Sequence, residues 1–123
     1  MSVLYRSLGL LMGATGILHM LLGVAVFTGP ARSIWQAGIW NSIAHDYSRA
    51  TFLWFSCSGA LLLLLGYLMH WVLQQRPLPR ALGGGLAALA LAGGIIMPVS
   101  GFWLVLIQAG LILRGPRTVP AKQ

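Results

Sequence analysis

The chain has 123 residues, of which 58% are hydrophobic and 7% charged. Soluble domains carry roughly 25% charged residues, so water is not the solvent for most of this surface. The net charge of +7 comes from eight Lys and Arg against one acid, Asp46. These cations sit at the edges of apolar runs rather than on one face, which excludes a nucleic-acid-binding domain.

Four apolar segments follow one another, and the reading is an all-α, integral membrane four-helix bundle in one domain over 1–123. The first span covers 7–28 and is closed by Gly29-Pro30. It is longer than the h-region of a cleavable signal, so an uncleaved signal anchor is expected despite a possible cleavage site after Ala31. Spans at 51–73, 81–97 and 99–113 come next, with Pro98 stopping the third. A bilayer core of ~30 Å needs about 20 helical residues. The last two segments are short, either upright spans helped by snorkelling Arg80 and Arg114 or one broken hairpin. Between the first two spans, Ile34-Trp35, Ile39-Trp40 and Ile43 suit an interfacial helix over 33–45. That helix is either an anchor or a lid over a cavity between the spans. The tail at 115–123 reads as disordered.

Placing both termini in the cytoplasm puts Arg6, Arg76, Arg80, Arg114, Arg117 and Lys122 inside, with Arg32 and Arg49 outside. In lipid, close packing and hydrogen bonds must hold helices together, so small residues mark interfaces. Gly9, Gly13, Gly16 and Gly23 fall within an arc of roughly 80° on the first helix. Ser56, Gly59, Gly66 and His70 form a similar stripe on the second, and the third is more than half Gly and Ala.

Groups able to carry chemistry are few. His19 lies mid-span, about 40–60° from the glycine direction, and an ionisable residue at that depth is a ligand-site candidate. The plainer reading is a neutral imidazole hydrogen-bonded across the bundle. Trp35 and Trp40 would cover such a site, and His45, Asp46 and Arg49 form the outer charged cluster. Asp46 can cap the second span and pair with Arg49. His70 is expected to find Gln108 as its hydrogen-bond partner. His19 and His70 lie ~18 Å and ~5 Å above the inner boundary, too far apart to share one haem iron within a chain. Cys57 reads as a small hydrophobe. No catalytic residues are identified, no metal-ligand pattern occurs, and no span contains a carboxylate for proton-coupled transport.

Gly16-Ile17-Leu18-His19 with Gly23, Gly38-Ile39-Trp40-Asn41, the stretch from Asp46 and Arg49 to Phe55, Pro79-Arg80-Ala81-Leu82-Gly83 and Met97-Pro98-Val99-Ser100-Gly101-Phe102-Trp103 resemble a bacterial family of short four-helix membrane proteins, a domain of unknown function. More loosely, the chain is similar to DoxX-like membrane proteins, some of which are linked to redox complexes. The resemblance implies a multi-pass protein of the bacterial inner membrane and supplies no activity or cofactor. The leading expectation is a non-enzymatic accessory protein that binds the bilayer and a membrane-protein partner or a second copy of itself. Its rivals are a quinone-, haem- or lipid-binding site around His19, and a small transporter.

Overall fold

The computed structural model describes residues 2–117, and these form helices and turns only. Their order is α1 (Val3–Arg6), α2 (Leu8–Val26), α3 (Thr28–Gln36), α4 (Tyr47–Leu73), α5 (Arg80–Ile96) and α6 (Phe102–Arg114). Among the described residues α2 and α4, with 19 and 27 residues, have the length and apolarity of full membrane-crossing helices, and α5 and α6 are apolar but shorter. At 1.5 Å per residue α2 and α4 reach about 28 and 40 Å, whereas α5 and α6 reach about 26 and 20 Å. The tail expected to be disordered falls largely outside the described residues.

The long helices pair as two hairpin-like units. α2 lies against α4 over most of its length, and α5 lies against α6. The units touch mainly through α2 and α6. Of the buried apolar residues, Tyr5, Leu8, Met12, Met69, Leu73, Leu78 and Ile112 lie toward the end where α1 starts and α4 finishes, and Leu86, Ala90, Val105 and Ala109 continue the core along α5 and α6. At the α1 end the Tyr5 hydroxyl accepts from the Leu78 backbone N–H at 3.0 Å, tying the α4–α5 loop to α1. Arg80 Nε donates to the Leu113 carbonyl at 3.1 Å, so a cation answers the negative end of α6.

The segment after α2 departs from the sequence reading. Gly29-Pro30 does not end the helix; Phe27 breaks it, and Thr28 Oγ1 donates to the Val24 and Ala25 carbonyls. Pro30 then sits in the first turn of α3, where its missing N–H has no intrahelical partner to lose. The expected helix over 33–45 is replaced by α3, which stops at Gln36. Gly38, at φ +86°, lets the Gly38 and Ile39 N–H groups bond back to the Trp35 and Ile34 carbonyls. This paired closure is a Schellman stop. Residues 37–46 continue as turns, with Ile39, Asn41 and Ala44 at φ 66°, 51° and 43°.

Candidate functional site

The α2–α4 seam brings backbones into contact. A Cβ added to Gly66 would overlap the Gly13 backbone, and one on Gly9 would overlap the backbone of His70. A Cβ on Gly16 would stand 2.6 Å from the Gly59 carbonyl oxygen, and one on Gly23 would stand 2.8 Å from the Phe55 ring. Ser56 is half-buried beside this seam. These glycines face the chain's own helices. Open space around helical glycines is found at Gly29, Gly84, Gly85 and Gly110 instead.

His19 is half-buried and stacks flat on Phe55, ring centres 3.8 Å apart at 12°. Trp35 is 74% and Trp40 92% exposed, so neither indole packs as a lid over it. His70 lies against Gly9, fifteen residues along α4 from Phe55. That is about 22 Å of helix, which keeps the two imidazoles from one iron. No group of three potential metal ligands occurs among the described residues.

Gln108 does not meet His70. Its Nε2 donates to Thr15 Oγ1 at 2.9 Å, joining α6 to α2, and Thr15 Oγ1 donates to the Leu11 carbonyl at 2.8 Å. Gln108 is 6% exposed, and its Oε1 is buried without a partner among the described residues, as is His70 Nδ1. Leaving such an acceptor unpaired costs about 1–3 kcal/mol. The Thr15–Gln108 pair lines a groove of about 350 Å³ between α2 and α6, walled by Leu11, Leu18, Leu104, Ile107 and Leu111. Binding pockets of this kind combine apolar walls with one or two polar groups. Thr15 was missed in the sequence because a hydroxyl in an apolar helix usually satisfies its own i−4 carbonyl, as this one also does.

At the opposite end of α4, Asp46 Oδ1 accepts from the Ser48 and Arg49 backbone N–H groups at 2.9 and 3.1 Å, capping the helix. Arg49 Nε lies 3.3 Å from Asp46 Oδ2 and 3.0 Å from Ser33 Oγ, and its Nη1 donates to the Ser42 carbonyl at 2.6 Å. One guanidinium thus fastens α3, the 37–46 strap and the start of α4. His45 is exposed and makes no hydrogen bond to Asp46 among the described residues, so no acid–base dyad forms there.

No curated protein and no solved structure matches the chain. A family model matches residues 4–118, nearly the whole length, and the chain belongs to that family of unknown function, DUF6463.

Proposed function

We propose that this is a multi-pass protein of the bacterial inner membrane, built on the general plan of DoxX-like proteins, that works by binding rather than catalysis. In this reading α2 and α4 span fully, α5 and α6 are the shorter spans, and both termini are cytoplasmic. The antiparallel order supports it, because Arg6, Arg76, Arg80, Arg114 and Arg117 then share the cytoplasmic end. Leucines exposed on the outer faces of α2 and α4, such as Leu21, Leu61 and Leu64, then meet lipid.

The bound species is a lipid-soluble molecule carrying one hydrogen-bond donor, held in the α2–α6 groove. The unpaired Gln108 Oε1 beside apolar walls carries this conclusion. A carbonyl oxygen only accepts, so it selects a hydroxyl or N–H. A hydroxylated lipid or a quinol fits that requirement, and an oxidised quinone does not. Gln108 lines the groove, and binding through Oε1 requires its amide to turn from the position that now buries that oxygen. The earlier alternative around His19 loses support from the Phe55 stack and the outward-facing tryptophans.

Native mass spectrometry of protein extracted gently from its own membrane tests this. The expected result is a discrete extra mass of a few hundred daltons. It should be lost in Leu18→Trp, which fills the groove from a half-exposed position, and in Gln108→Leu, which removes the acceptor. A mass that survives both changes overturns the groove. So does a co-purified protein or a second copy of the chain with no small mass, which returns the function to partner association.

A further inference from the structure

We infer that a second groove, at the inner end between α4 and α5, holds an anionic phospholipid, with Arg76 at the headgroup and Leu65, Leu68, Val72 and Leu82 along an acyl chain. It rests on the membrane placement proposed above but not on the α2–α6 groove, which lies between a different pair of helices.

The groove has a structural origin. The α4–α5 loop turns inward at Leu78, which is 2% exposed and held by the Tyr5 hydroxyl. That bond ties the loop to α1 at the closed end of the gap between α4 and α5, where Leu78 and Pro79 form part of the lining. A space of about 260 Å³ is left, lined by Leu65, Leu68, Met69, Val72, Leu82 and the loop residues Leu78 and Pro79. Arg76 is the one charged residue in that lining, three positions past the end of α4. An aliphatic trough ending at an exposed guanidinium matches a hydrocarbon chain ending at a phosphate.

Charge complementarity identifies the occupant. The chain's only acidic side chain, Asp46, caps the other end of α4, about 40 Å of helix away. The inner end therefore gathers Arg6, Arg76, Arg114 and Arg117 with no carboxylate side chain to answer them. Arg80 is committed to the Leu113 carbonyl. Anionic headgroups supply the missing counter-charge, and a zwitterionic headgroup supplies no net charge at all.

The test uses the full chain, delipidated in a mild nonionic detergent, with phosphatidylglycerol or phosphatidylcholine of identical acyl chains added and bound lipid read by native mass spectrometry. One phosphatidylglycerol should bind at about fivefold lower concentration than phosphatidylcholine, the preference expected of one arginine at the headgroup level. Arg76→Gln should abolish that preference, whereas Arg117→Gln, which removes the same charge from the same end, should keep it. Leu68→Trp should weaken both lipids by filling the trough, and Leu61→Trp, on an exposed face of α4 that lines neither groove, should leave both unchanged. Arg76 and Leu68 are exposed, so the variants should keep the wild-type helical signal and melting temperature. Equal affinity for the two lipids, or a preference that survives Arg76→Gln, overturns the inference. Displacement by inorganic phosphate as effective as by the lipid itself does the same, because it would mark an anion site with no acyl component. A chain that stays dispersed without detergent and ignores lipid altogether overturns the membrane reading first.

Discussion

Gly66→Ala lowers the melting temperature of the detergent-solubilised protein, while Gly85→Ala leaves it unchanged or raises it. The two substitutions add the same methyl group to glycines inside apolar helices. At Gly66 that methyl lands on the Gly13 backbone and stands 2.7 Å from the Gly9 carbonyl oxygen. Backbone atoms cannot rotate aside as a side-chain tip can, so α2 and α4 must separate. Overpacking costs about 1–3 kcal/mol, and contact with the α2 backbone at both Gly9 and Gly13 places this case at the upper end. Separation also weakens the His19–Phe55 stack and the Gly16–Gly59 approach, because one rigid helix carries them all. Gly85 has nothing within 4 Å, so alanine there brings only its better helix propensity, about 1 kcal/mol. Thermal unfolding followed by circular dichroism measures both. Gly66→Leu should go further and leave α2 and α4 unpaired, which cross-linking between cysteines placed at the outer ends of the two helices would detect. Equal melting temperatures for the two alanine variants would show that the backbone contact at Gly66 carries no stability.

The all-helical class follows from composition and from the length of the apolar runs, which are properties of a chain read one segment at a time. The Asp46 cap is legible for the same reason. A carboxylate two and three residues ahead of free N–H groups needs only local backbone geometry to reach them. The end of α3 was equally local: Gly38 marks a Schellman stop, but the isoleucine–tryptophan spacing on either side of it suggested an unbroken helix. Gln108 marks where local reading ends. Its depth in α6 made His70 a reasonable partner, but a partner is chosen by how two hairpins dock, and that docking brings Thr15 of α2 to it instead. Likewise, periodicity says which side of α2 carries glycine and says nothing of which helix that side will meet. The arginines at the ends of the apolar runs are legible as a charge pattern, whereas the trough beside Arg76 is lined by Leu78, a loop residue whose link to Tyr5 spans 73 positions.

Arg49→Met releases the 37–46 strap without separating the helices beside it. Residues 37–46 contain three non-glycine residues in the left-handed region, and Ile39 is β-branched, for which that region is least tolerated. Each such residue costs about 1–3 kcal/mol and persists only where surrounding contacts impose it. Trp40 and Ile39 point outward and impose little, being 92% and 59% exposed. The constraint comes from Arg49, whose guanidinium reaches Ser33 on α3, the Ser42 carbonyl in the strap and Asp46 at the start of α4. Methionine keeps the aliphatic stem and removes every donor. Hydrogen bonds from a charged donor contribute about 1.5–3 kcal/mol, so the loss of about 2 kcal/mol should speed amide exchange across 37–46 roughly thirtyfold. Exchange within α2 and the middle of α4 should stay slow, because the glycine seam does not involve Arg49. Arg49→Lys should recover only part of the protection: one ammonium cannot reproduce the planar fork that reaches separate acceptors. Unchanged exchange at 37–46 in Arg49→Met would mean that the Schellman stop and the Asp46 cap hold the strap by themselves. The left-handed residues would then be set by the two helix ends and not by the arginine between them.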